Sequence, residues 1–152
     1  MECYDVDFYH KENGDCPVDD FLESLDTKMR AKVLGAVALL EANGPQLREP
    51  YSKFIGDGIF EIRAKQSSNI TRVLYFFYIG KRIVLTNGFI KKTQKTPSEE
   101  IALAKKYRAD YLERKEKISR VIFGIFSTNN WKTLNSKRSG RHFSQSFRWY
   151  RQ

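Results

Sequence analysis

Hydrophobic positions change period several times along the chain, and each change marks an element. Tyr4, Val6 and Phe8 alternate with polar or small neighbours, the period-2 pattern of a half-buried strand, which ends near Asn13-Gly14. Pro17 to Leu25 reads as a short helix. Thr27 can cap a second one, whose Met29, Val33, Val37 and Leu40 keep helical spacing up to the stop at Asn43-Gly44-Pro45. Asp57-Gly58 marks a turn. Strands are predicted at Ile59 to Lys65, Ile70 to Ile79 and Arg82 to Ile90; the middle one is apolar on both faces and therefore central. Thr96-Pro97-Ser98-Glu99 is a helix start, with threonine as the cap, proline in the first turn and glutamate three residues on, and that helix can run to about Lys117.

Register follows from loop lengths. A four-residue hairpin loop at Gln66 to Asn69 pairs Lys65 with Ile70, and counting back sets Arg63 directly opposite Arg72. A two-residue turn at Gly80-Lys81 pairs Ile79 with Arg82 and sets Arg72 opposite Phe89, with Lys91 following on the same face. Like charges directly opposed across a sheet are unfavourable, so the Arg63/Arg72 couple calls for an anion or a nearby acid. Glu61, two residues from Arg63, is the local acid. The expected product is a basic face with one aromatic, suited to phosphates and a stacked base. A bulge at Asn87-Gly88 would turn Phe89 and Lys91 to the other side.

Charge sharpens this picture. The chain of 152 residues carries a net +9, unevenly spread. Residues 1–50 hold 11 acids and 5 bases, 51–98 hold 2 acids and 9 bases, 99–118 hold 5 acids and 6 bases, and 119–152 hold no acid and 7 bases. The first basic region is interleaved with strand-like apolar residues; the second lies in a tail rich in Ser, Asn, Gly and Arg. The longest apolar run, Val73 to Ile79, is far short of the roughly 20 residues that cross a bilayer, and the N-terminus lacks the basic and apolar regions of a signal peptide. A cytoplasmic protein is expected, with Cys3 and Cys16 as free thiols.

Several chemistries are excluded by the residues present. His10 and His142 lie in unrelated parts of the chain, so an imidazole acid/base pair is not expected, and no metal-ligand spacing or cofactor motif is visible. Asp5 and Asp7 share a strand face, where solvation is the ordinary role of such acids. Gly80-Lys81 lacks the upstream glycine and following Ser/Thr of a phosphate loop. Cys16 stands before a helix with no partner in sequence. What remains is phosphate chemistry by arginine, lysine, tyrosine or glutamate. In RNA the 2′-hydroxyl attacks the adjacent phosphorus, and a protein need only align it, remove its proton and stabilise the developing charge.

The segments Leu47-Arg48-Glu49-Pro50, Gly56-Asp57-Gly58-Ile59-Phe60-Glu61-Ile62-Arg63, Thr71-Arg72-Val73-Leu74-Tyr75-Phe76 and Gly88-Phe89-Ile90-Lys91-Lys92-Thr93-Gln94-Lys95-Thr96-Pro97 resemble the RelE/HigB toxin superfamily. Within it the phage-derived Gp49-like HigB branch is most similar. The resemblance covers about residues 3–117. It implies an α+β, RelE-like fold: a strand, two helices, a three-strand antiparallel meander and a C-terminal helix, with a mainly antiparallel sheet. It also implies a toxin of a type II toxin-antitoxin system that cleaves mRNA on the ribosome, is neutralised by a cognate antitoxin, and needs no cofactor and no membrane; whether toxin and antitoxin build a higher-order complex is left open by the sequence. By resemblance Arg63 and Arg72 serve the scissile phosphate, and Glu49 and Glu61 are the candidate general bases. Lys65, Phe89, Lys91, Lys92 and Lys95 are the expected RNA-binding set, with Phe89 open between core packing and stacking on a base. Tyr75 is expected in the core. Two rivals remain: a ParE-like gyrase inhibitor that shares the fold, and a phage-derived interaction module without catalysis, which would not need the basic constellation.

The toxin domain is expected to span 1–118. Residues 119–152 lie outside the resemblance. They combine the apolar run Val121 to Phe126 with a basic stretch holding Trp131, Trp149 and Tyr150. This tail reads either as a segment attracted to RNA phosphates or as sequence without selected structure, and the lack of caps and periodicity favours the latter and poor order.

Overall fold

The first strand, β1 (Asp5–Phe8), leads through a short connection into α1 (Pro17–Ser24) and α2 (Thr27–Asn43), in a computed structural model that describes residues 3–127. A single 3-10 turn at Gly44–Gln46 follows, then β2 (Ser52–Gly56), β3 (Ile59–Gln66), β4 (Asn69–Tyr78), β5 (Arg82–Ile90) and α3 (Ser98–Ser127). The strands form one mixed sheet in the order β1-β5-β4-β3-β2, with β1 parallel to β5 and the other neighbours antiparallel. The fold is therefore α+β, with the doubly apolar β4 at the centre of the sheet.

The meander has four strands, not three. Ser52–Gly56 escaped the sequence pattern because it is a short edge strand whose alternation is broken by a register shift between Phe54 and Gly56. Other differences are local. Asp26, not Thr27, caps α2, its carboxylate accepting the Met29 amide at 2.9 Å, a position where negative charge also meets the positive end of the helix dipole. On that helix Ala36 is buried beside Met29, Val33 and Leu40, while Val37 packs at the margin. Thr96 lies before α3 without serving as the expected cap; its hydroxyl is used elsewhere.

Alternation gives the sheet two unlike faces. Ile62, Ala64, Val73, Tyr75, Ile83 and Leu85 point to one side and pack with Val18, Leu22, Met29, Val33 and Leu40 of α1 and α2. Gly88 faces this side as well. A Cβ there would stand 2.1 Å from the Phe21 ring, so the absence of a side chain is what lets α1 lie against β5. The opposite face carries Ile59, Leu74, Phe76, Val84 and Phe89, covered by Ala104 and Tyr111 of α3. Tyr107 stacks on Tyr9 with ring centroids 4.6 Å apart, and Tyr9 donates to Asp110 at 2.6 Å. At the β2–β3 turn, Asp57 receives Lys105 on its carboxylate and Arg108 on its backbone carbonyl, which ties the turn to α3. That lysine contact holds the Asp57 carboxyl below the usual range.

The chain divides into two units, the residues up to Leu112 and those from Glu113 onward. In the second, the helix runs on to Ser127, ten residues beyond the expected end near Lys117. Two i,i+4 ion pairs, Glu113–Lys117 at 2.9 Å and Glu116–Arg120 at 2.6 Å, support it. Residues 119–127 of the expected tail are thus helical, and 128–152 lie outside the described residues. No helix among the described residues is long and apolar enough to cross a membrane.

Candidate phosphate-binding site

On the α3-facing side of the sheet, the end formed by β2, β3 and β4 is not filled with apolar groups. Arg63 on β3 and Arg72 on β4 occupy directly opposed positions. Glu61, two residues along β3 from Arg63 and so on the same face, sits between them with its side chain wholly buried. Its Oε1 accepts from Arg63 Nε at 2.7 Å, and its Oε2 accepts both Arg72 Nη1 and the Thr96 hydroxyl at 2.7 Å. Two like charges that would otherwise repel are therefore bridged by one carboxylate. Arg72 Nη1 also donates to Thr96 Oγ1 at 2.5 Å. The Arg72 side chain is only 4% exposed, yet its Nε has no hydrogen-bond partner among the described residues.

These groups line a cleft of about 350 Å³ together with Lys53, Phe54, Ile55, Gln94, Lys95 and Ile101. Lys53 reaches the same face because it pairs with Glu61 across β2 and β3. Lys91 extends β5, its amide donating to the Ile70 carbonyl at 2.7 Å. Desolvation, then the nearby Arg72 and Arg63 charges, hold its amine below the usual lysine range. One buried anion thus stands among cations from several elements, and a site of this composition has affinity for a further anion.

The nine residues expected at the site separate into groups. Arg63, Arg72 and Lys95 line the cleft, and Lys91 is close enough to feel both arginines. Lys65 and Lys92 are exposed and do not line it. Phe89 lies opposite Arg72, as the register count requires, but the ring is 8% exposed in the cluster beneath α3. It is a core residue, and stacking of a base on it would require that packing to open. Glu61, the other candidate base, is wholly buried and stands as the counter-ion of the pair, its oxygens accepting from two guanidinium groups and a hydroxyl. Glu49 differs, being 62% exposed with Oε2 at 4.0 Å from Arg63 Nη1. It is the solvent-facing carboxylate beside the arginine pair. Tyr75 is buried on the opposite face, where its hydroxyl shares a 2.6 Å hydrogen bond with Ser52 and burial raises its pKa.

Sequence reasoning missed Lys53 and Thr96. Lys53 belongs to the edge strand that the hydrophobic pattern does not announce, and the capping signature around Thr96 masks the role of its hydroxyl at the cleft. The fold also assembles a group that spacing did not announce. His10, Cys16 and Asp19, on the connection from β1 and the start of α1, each bring one potential metal-ligating atom within 4.8 Å of the others. Burial raises the Cys16 thiol pKa, and none of the three lines the cleft.

A search of curated proteins finds no match to the chain. The family model described as "Phage derived protein Gp49-like (DUF891)" matches residues 20–109. That span covers more than half of the 152 residues and contains every side chain placed at the cleft. With the arginine pair, its glutamate and the lysines around them all inside the matched region, the chain belongs to the phage-derived Gp49-like family of the RelE/HigB-like toxin superfamily.

Proposed function

We propose that this protein is the toxin of a type II toxin-antitoxin pair, of the HigB kind, and cleaves mRNA on the ribosome as an endoribonuclease. The observation that carries the proposal is the Arg63/Arg72 couple, directly opposed on adjacent strands and fixed by a buried glutamate at the floor of a cation-lined cleft. Attack by a ribose 2′-hydroxyl on the adjacent phosphorus places extra negative charge on the non-bridging oxygens, and preformed guanidinium donors stabilise that charge. Arg72 brings such a guanidinium to the cleft, its buried Nε without an acceptor among the described residues. Arg63, 23% exposed, is reachable from solvent and carries Glu49 beside it as the group to remove the 2′-proton. Lys53, Lys91 and Lys95 hold the flanking phosphates. A cognate antitoxin would neutralise the protein by laying an acidic or helical segment over this face.

Inducible expression with mapping of mRNA 5′-ends tests the proposal. New ends within translated frames, suppressed by the antitoxin and reduced at least about a hundredfold by Arg63→Ala or Arg72→Lys in folded protein, are expected. Growth arrest with intact mRNA and blocked DNA supercoiling would replace it with gyrase inhibition. No arrest by the wild-type chain would point to an interaction module.

A further inference from the structure

Thr96 stands two residues before α3, at the end of the segment that carries Lys91, Lys92 and Lys95. In the sequence it has every mark of a helix cap. Its hydroxyl is instead committed to the charged cluster, donating to Glu61 Oε2 at 2.7 Å and accepting from Arg72 Nη1 at 2.5 Å, and the residue is 7% exposed. The hydroxyl thus receives from the guanidinium and donates to the carboxylate that neutralises it.

We infer that Thr96 is the positioning residue of the site: its hydroxyl fixes the Arg72 guanidinium plane and ties the lysine-bearing segment to the arginine pair. This deepens the reading of the cleft as the RNA-cleaving site and rests on it. A guanidinium held through one nitrogen by a single acceptor can rotate about that bond. Nη1 of Arg72 is held by two acceptors from different elements, Glu61 on β3 and Thr96 before α3, and the plane becomes defined. The guanidinium that lines the cleft is thereby held in one orientation, with its Nε buried and without an acceptor among the described residues. The same anchor sets Lys95 and Gln94, the two residues preceding Thr96, along the cleft wall. A threonine suits this task better than a serine because its branched Cβ restricts the rotamer that presents the hydroxyl.

Thr96→Val keeps shape and removes both hydrogen bonds, while Thr96→Ser keeps the hydroxyl. The full chain is examined by NMR of the Arg72 Nε–H signal, with and without inorganic phosphate, and by cleavage of mRNA on programmed ribosomes. In the wild type and Thr96→Ser the Arg72 signal should be resolved and should shift on phosphate addition; in Thr96→Val it should broaden and lose that response. Cleavage by Thr96→Val should fall about ten- to a hundredfold in kcat with a smaller change in KM, and Thr96→Ser should retain activity within about threefold of the wild type. A Thr96→Val protein with an unchanged Arg72 signal overturns the inference, as does one whose loss is not rescued by serine. If the wild type cleaves no RNA, the nuclease reading fails by itself, and the NMR comparison still decides whether Thr96 positions Arg72.

Discussion

The two faces of the sheet are made by the same strands and obey opposite rules. On the side of α1 and α2, Ile62 and Val73 are cross-strand partners in a packed apolar layer, and the one long-range polar contact involving Tyr75, to Ser52, is satisfied within the protein. One residue along each strand, Arg63 and Arg72 form the equivalent partnership on the side of α3, where a buried glutamate and a cleft replace the apolar layer. A buried ion network of this sort is a poor device for stability, because desolvating the charges offsets most of their attraction. Its presence in the interior accords with the proposed phosphate site at this end of the sheet, while the opposite face supplies the rigidity that keeps the arginines in register.

That contrast can be broken experimentally. The largest stability effect is expected for Glu61→Gln, which leaves two close guanidinium groups without their counter-ion. A loss of about 3–5 kcal/mol in chemical denaturation should accompany loss of activity, and an unaffected protein would show that the arginines do not depend on Glu61. Ile62→Ala, its neighbour on the other face, should cost about 2–5 kcal/mol through the cavity it opens, yet leave the cleavage rate per folded molecule unchanged. A comparable drop in that rate would mean that the faces are not separable. Tyr75→Phe should cost about 1 kcal/mol by removing the bond to Ser52, read as a lowered denaturant midpoint with activity intact.

Lys91→Gln should have the smallest effect on stability and should act with the opposite sign. The folded state binds the Lys91 proton less tightly than the unfolded chain does, since desolvation and the arginines depress its pKa. At neutral pH the charged amine therefore opposes folding, and this cost fades as pH rises through the depressed pKa toward the ordinary lysine value. The variant should melt slightly higher at pH 7, with the difference shrinking in alkaline buffer, while RNA binding becomes weaker and less dependent on salt. An unchanged salt dependence would remove Lys91 from the RNA contacts.

The position of the arginine pair was legible because β-strand geometry leaves few choices. Any hairpin centred on Ser67-Ser68 opposes Arg63 to Arg72, whether its loop holds four residues or the observed two. The next pairing was right through two differences that cancel. The β4–β5 connection is one residue longer than expected, with Tyr78 rather than Ile79 opposite Arg82, and a register shift at Thr86 restores the count before Asn87. Thr86 marks the irregularity by donating its hydroxyl to the Leu74 carbonyl at 3.1 Å. The irregularity thus falls at Thr86, just before the Asn87-Gly88 position where a bulge would have turned Phe89 away, and Phe89 stays on the face of Arg72.

By itself the sequence determined the order of helices and most strands, the central place of β4, and the convergence of two arginines on one face, because periodicity and turn chemistry are local. Burial was decided only by the tertiary structure. It made Phe89 a core residue under α3, set Glu61 as the buried counter-ion of two guanidinium groups, and drew Thr96 away from a helix cap. Each of these depends on what an element distant in sequence lays against the residue, and no local pattern along the chain encodes that.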